Sequence, residues 1–91
     1  MTLTEPASSP APTLDDAPAG VAVLVTGSGA DPALARRLAE LGVRPGAVVV
    51  PLGRTAGGAR VVAVDDARLA LARRVLRRVG VEPVPHAGGA A

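Results

Sequence analysis

Few residues of this chain could take part in chemistry, and they are scattered along it. The single histidine, His86, lies in the Gly- and Ala-rich residues 85–91, which we expect to form a flexible tail. The chain has no cysteine or tyrosine, and all ten of its cationic residues are arginines. Thiolate nucleophiles and lysine Schiff bases are thereby excluded. Because His86 has no nearby partner for acid–base catalysis, we predict that the protein is not an enzyme.

Two pairs of adjacent carboxylates are candidates for metal ligation. Asp15-Asp16 follows a Pro- and Ala-rich segment, and Asp65-Asp66 follows a Val-rich one. Neighbouring side chains of an extended segment point to opposite sides, and a hard cation needs more oxygen ligands than one pair supplies. We therefore expect both pairs to serve turns or caps, and we predict no metal site and no cofactor.

A glycine-rich stretch, Gly27-Ser28-Gly29, precedes the first predicted helix and invites comparison with phosphate-binding loops. Those loops present free backbone N–H groups at a helix N-terminus. Here Pro32 removes one N–H group, and Asp31 adds negative charge at the same place. The stretch therefore predicts a turn and not a nucleotide site.

The C-terminal half carries a cluster of four arginines. At helical spacing, Arg73 and Arg77 share one side, while Arg74 and Arg78 share the adjacent side. The formal net charge is only +2, and the chain has no aromatic residue on which a nucleobase could stack. We predict a solvated or protein-docking face and no direct contact with nucleic acid.

The residues before this cluster predict a short helix after a first strand. Asp31 suits the N-cap and Pro32 the first helical position, where a missing N–H group costs nothing. Leu34, Leu38 and Leu41 recur on one helical face. We expect Leu38 and Leu41 to hold the helix against the rest of the fold.

The end of the helix and the next strand are equally well marked. Gly42 suits a left-handed C-terminal cap, and Pro45-Gly46 suits a tight turn. The β-branched residues 48–50 behind the turn indicate a strand.

Three strands are predicted over residues 20–26, 47–52 and 59–65, but residues 67–84 are ambiguous. Their pattern fits one helix over 67–79. It also fits a strand over 68–71, a helix over 73–78 and a final strand over 79–84. Pro83 would place that final strand at a sheet edge.

The chain is long enough for one small domain, which we place at residues 14–84, between a flexible extension (1–13) and the tail (85–91). Most of residues 1–19 are expected to bury too little apolar surface to fold. No segment is long and apolar enough to span a membrane, and acidic Glu5 argues against a secretory signal. We expect a cytoplasmic protein.

The order of these elements resembles the FeoA family, ferrous iron transport protein A. The residues that carry the resemblance are those of the segment 37–46, RLAELGVRPG, the strands around Val48 and Val62, and Leu69-Ala70-Leu71 followed by Val79-Gly80-Val81. The resemblance favours the split interpretation of residues 67–84. It implies a mainly β fold, a small SH3-like β-barrel with one short helix after the first strand and a second before the last.

The resemblance also implies a cytosolic, non-enzymatic accessory protein of ferrous iron uptake that docks on the cytoplasmic part of the membrane permease FeoB. We assign the partner contact to exposed charged residues, namely Arg36, Arg37, Glu40, Arg44, Arg73, Arg74 and Arg77. The alternative is a stand-alone SH3-like regulatory domain, akin to the C-terminal domain of iron-dependent repressors, with self-association or transition metal binding. A small enzyme or iron carrier is a third hypothesis.

Overall fold

Seven elements follow one another in the computed structural model, which describes residues 12–29 and 31–85. They are β1 (Val23–Gly27), α1 (Pro32–Glu40), β2 (Val48–Arg54), β3 (Arg60–Val64), β4 (Ala67–Leu71), α2 (Arg73–Leu76) and β5 (Gly80–Pro83). The strands form one antiparallel sheet in the order β4-β3-β2-β1-β5. The predicted mainly β architecture with two short helices is confirmed. His86 and the extension up to residue 11 lie outside the described residues.

The start of α1 follows the expected capping chemistry. The Asp31 side chain accepts hydrogen bonds from the backbone N–H groups of Ala33 (3.0 Å) and Leu34 (3.3 Å), and Pro32 opens the helix. Leu38 is 2% exposed and joins the core. The prediction for the helix start and for Leu38 is therefore confirmed.

The end of α1 differs from expectation at one residue. Leu41 is 49% exposed, so it does not hold the helix against the sheet. It is the C-cap, and the chain turns away directly after it at Gly42, whose φ is +96°. Val43 occupies the core in place of Leu41: it is fully buried, and its N–H group donates to the carbonyl of Leu38 at 2.8 Å. The left-handed cap at Gly42 agrees with the prediction. The space beside Gly42 also favours glycine, because a Cβ atom there would lie only 2.8 Å from Val64 Cγ1.

Residues 67–84 split into strand, helix and strand, so the single-helix interpretation is wrong. β4 pairs with β3 along its whole length, from Val64 opposite Ala67 to Arg60 opposite Leu71. This pairing supplies hydrogen bonds that a local propensity argument does not count. α2 ends at Leu76, earlier than expected, because the N–H groups of Arg78 and Val79 bond carbonyls only three residues back. β5 lies at a sheet edge, as Pro83 predicted.

The core is built from valine, leucine and alanine, and it includes residues that composition had assigned to a loose N-terminus. Leu14 is fully buried and Ala17 is 5% exposed. Their segment is tied to the end of the domain, since the N–H group of Leu14 bonds the carbonyl of Val79 at 2.9 Å, and Thr13 pairs with Gly80. Composition predicts too little buried surface for most of residues 1–19, and Leu14 and Ala17, which lie inside the predicted domain 14–84, are exceptions to that trend.

Candidate functional site

The outward side of α1 is the first candidate surface. The predicted contact residues Arg36, Arg37, Glu40 and Arg44 are all exposed, and Leu41 adds an apolar group beside them. We call these five residues the α1 surface. Their spacing of three and four residues in the helix places Arg37, Glu40 and Leu41 next to one another. The α1 surface therefore consists of one exposed leucine next to three positive charges and one negative charge.

A second candidate surface surrounds Asp15. Its side chain is only 10% exposed, and its Oδ1 lies 2.9 Å from Arg54 Nη1. Its Oδ2 lies 3.5 Å from the Nε atoms of both Arg73 and Arg77. Arg54 Nη2 also donates to the backbone carbonyl of Asp15. The N-terminal turn is thereby connected to the end of β2 and to α2.

Arg60 is a buried arginine next to Asp15 and Arg54. It is 5% exposed, and its Nε donates to the carbonyl of Leu52 at 2.9 Å while its Nη1 donates to the carbonyl of Leu14 at 2.8 Å. Burial, together with the positive charge of Arg54, lowers the pKa of the Arg60 guanidinium from its ordinary value. We call Asp15, Arg54, Arg60, Arg73 and Arg77 the Asp15–arginine cluster.

Sequence reasoning missed three members of this cluster. It assigned Asp15 to turn or cap chemistry, and it gave Arg54 and Arg60 no role. The sequence does carry a signal for the burial of Arg60. Every second side chain of a strand lies on the same side, so Arg60 shares the inner side of β3 with the buried Val62 and Val64. No comparable signal exists for Asp15, whose partners are 39 to 62 residues away.

The four arginines at positions 73, 74, 77 and 78 lie on two different sides, in the pairs that the helical spacing predicted. Arg73 and Arg77 face Asp15, whereas Arg74 and Arg78 line a surface cavity together with Asp31 and Leu34. The predicted contact residues therefore fall on different faces. The α1 surface holds four of them, the cluster holds Arg73 and Arg77, and Arg74 lies apart from both.

The balance of effects on Asp15 predicts an acid-sensitive contribution to stability. Burial raises the pKa of Asp15. The hydrogen bond and charge of Arg54, the charge of Arg73 and the hydrogen bond of Arg77 together have the larger effect, and they lower the pKa below its ordinary value. A lowered folded-state pKa gives stability that is complete above the unfolded-state pKa of ~3.9 and is lost as the pH falls through the folded-state value.

We therefore expect Asp15→Asn to destabilise the domain near neutral pH and to lose less stability than the parent chain on acidification below pH ~4. Urea unfolding followed by far-UV circular dichroism at several pH values measures this difference. Asp16→Asn is the matched control, because Asp16 is exposed and its carboxylate accepts a hydrogen bond from Thr13 Oγ1 at 3.3 Å. Parallel pH profiles for the parent and Asp15→Asn chains would contradict the assignment.

The other candidate groups remain apart. Within residues 12–29 and 31–85, no three His, Cys, Asp or Glu side chains come together. Asp65 occupies the tight turn between β3 and β4 with a φ of +51°, in line with its predicted turn role. At the start of α1, the Asp31 carboxylate already accepts the N–H groups that an anion would use. In the same described part of the chain, no helix has the length and apolar character needed to cross a membrane.

These features define a class, the small SH3-like β domain. The FeoA domain model matches residues 13–83, and the chain therefore belongs to the FeoA family, as its sequence predicted. FeoA proteins are small accessory factors of ferrous iron transport. A comparison with curated proteins gives no match.

Solved structures agree with this assignment. The FeoA protein from Chlorobium tepidum is 28% identical over 85% of this chain and 74% of its own, with a TM-score of 0.73. FeoA from Stenotrophomonas maltophilia, solved in complex with zinc and described as a prokaryotic SH3 domain protein, is 32% identical over 79% of this chain and 91% of its own, with a TM-score of 0.68. ScaR with bound Zn²⁺ is similar in fold alone, at 20% identity over 36% of its length and a TM-score of 0.69.

Proposed function

We propose that this protein is a cytoplasmic, non-enzymatic accessory factor of ferrous iron uptake that docks on the cytoplasmic part of a FeoB-type membrane permease. The observation that carries the proposal is the α1 surface on a FeoA-family domain. There Leu41, half exposed at the end of the helix, is flanked by Arg37 and Arg44. An apolar group with a charged rim is the arrangement that protein–protein contacts use.

The distribution of polar groups supports docking over catalysis. Among the described residues, the Asp31 carboxylate caps α1 and the Asp15 carboxylate is paired with Arg54 and Arg73, so both carboxylates are already engaged. Iron enters this proposal only as the cargo of the transport system. Charges on the rim of a contact chiefly set its orientation and association rate, which suits a regulatory encounter.

Arg37→Glu tests the proposal. We expect it to weaken binding to the isolated cytoplasmic GTP-binding domain of a FeoB-type permease by about tenfold, because it reverses a charge at the centre of the α1 surface. Arg68→Glu is the matched control, since Arg68 is exposed on β4 and outside both surfaces. Calorimetric titration measures the affinity, and far-UV melting curves show whether the variants fold.

Three outcomes would overturn the proposal or part of it. Failure of the parent chain to bind the permease domain would overturn the docking partner. Equal weakening by Arg37→Glu and Arg68→Glu would overturn the α1 surface as the contact. Co-purification with a repressor, or concentration-dependent dimerisation in place of permease binding, would favour the stand-alone regulatory domain.

A further inference from the structure

The Asp15–arginine cluster uses its guanidinium groups unevenly. Arg73 and Arg77 both approach Asp15 Oδ2 through Nε, at 3.5 Å. Within residues 12–29 and 31–85, neither of them donates a hydrogen bond through a terminal Nη atom. The Nη atoms are the paired donors with which arginine binds carboxylates in a bidentate manner. The strongest binding groups of these two side chains are therefore unoccupied by the domain itself.

The charges of the cluster do not cancel. Three guanidinium groups contact the Asp15 carboxylate, and a fourth, that of Arg60, donates to the backbone carbonyl of Leu14 beside it. The neighbouring carboxylate of Asp16 accepts a hydrogen bond from Thr13 Oγ1. Asp15 is 10% exposed and lies beneath the arginines, whereas the side chains of Arg73 and Arg77 are 56% and 62% exposed. A ligand approaching from solvent therefore meets positive charge first.

The cluster is also held in place from several directions. Arg54 is fixed by bonds to the carbonyls of Gly58 and Asp15, and Arg60 by bonds to Leu14 and Leu52. Asp15 Oδ2 contacts both Arg73 and Arg77 and thereby orients their side chains. Side chains whose conformation is already restricted lose less entropy when they bind a ligand.

The chemistry of the surface selects among anionic partners. Nucleic acid is disfavoured, because single-stranded binding draws on stacking against aromatic side chains and the chain has none. A small free anion is disfavoured by exposure, since isolated ion pairs at such accessible side chains are weak. Several carboxylates on one peptide would engage Arg73 and Arg77 together.

We infer that the Asp15–arginine cluster is a second docking surface, distinct from the α1 surface, which binds an acidic segment of a partner protein through the free Nη atoms of Arg73 and Arg77. Asp15 is a positioning residue in this surface. The two surfaces lie on different elements, so this inference holds whether or not the α1 surface binds a permease.

A titration of the full chain, labelled with ¹⁵N, by a short capped polyglutamate peptide tests the inference, with polyglutamine of the same length as the uncharged probe. We expect saturable shifts of the Arg73 and Arg77 Nε signals at about 20 mM salt that diminish at about 150 mM. The double variant Arg73→Gln/Arg77→Gln should weaken binding about fivefold or more.

Arg74→Gln/Arg78→Gln is the matched control. It removes the same charge from the same segment but on the other side, and it should change the affinity by less than about twofold. Far-UV melting curves of both variants test whether they remain folded. Equal weakening by the two double variants would overturn the inference in favour of general charge attraction. Absence of shifts in the parent chain would overturn it outright, as would tighter binding of single-stranded oligouridylate than of polyglutamate at the same residues.

Discussion

An aspartate in place of Leu38 is expected to unfold the domain. Leu38 is 2% exposed on the inner side of α1, so the substitution removes a buried leucine, which costs about 2–5 kcal/mol. It also places a carboxylate without a partner among aliphatic side chains, which adds several kcal/mol. A small domain has a total stability of only about 5 kcal/mol or somewhat more. Loss of the cooperative far-UV transition is the expected result.

Leu41→Asp is the matched control for this experiment. It introduces the same side chain three residues later, where the parent leucine is 49% exposed and ends the helix. We expect a change in the free energy of unfolding within about 0.5–1 kcal/mol. Both variants are best followed by circular dichroism, since the chain has no aromatic chromophore. A Leu38→Asp chain with an unchanged melting temperature would show that α1 does not pack on the sheet as described.

Arg60→Met is expected to have the second-largest effect. Methionine fills much of the same volume but donates no hydrogen bond, so the carbonyls of Leu14 and Leu52 lose their charged donor. Leaving a buried acceptor unsatisfied costs about 1–3 kcal/mol, and the bond to Leu52 is only part-buried, so we expect a loss of about 2–4 kcal/mol in all. Urea unfolding gives the free energy directly.

Arg68→Met controls for the general effect of removing an arginine from the β3–β4 hairpin, because Arg68 is exposed. It should be nearly neutral, within about 0.5 kcal/mol. A second variant, Arg60→Lys, retains the charge without the forked geometry, and we expect it to restore only part of the loss. A Met variant as stable as the parent would show that the buried guanidinium makes no net contribution to stability.

The parts of the fold that the sequence predicted are those governed by neighbouring residues. The N-cap at Asp31, the proline at position 32 and the left-handed cap at Gly42 each act on backbone groups within a few residues. Their chemistry can be read without knowledge of the rest of the chain. The exposed positions of Arg36, Arg37 and Glu40 follow in turn from the register of that helix.

The parts that were missed depend on distant residues. Leu41 and Val43 are similar in hydrophobicity, and only the turn at Gly42 decides which of them enters the core. The ambiguity of residues 67–84 is resolved by pairing with β3, not by propensity. Asp15 acquires its role because folding brings Arg54, Arg73 and Arg77 to it from 39 or more residues away.

The pairing of Thr13 with Gly80 also bears on how the protein folds during synthesis. Leu14 enters the core beneath a hydrogen bond to Val79, so the first buried side chain of the described region depends on the last strand of the domain. Contacts of such high sequence separation slow folding, because a long loop must close before they form. On the ribosome, the pairing of Thr13 with Gly80 and the hydrogen bond from Leu14 to Val79 cannot form until β5 has left the exit tunnel.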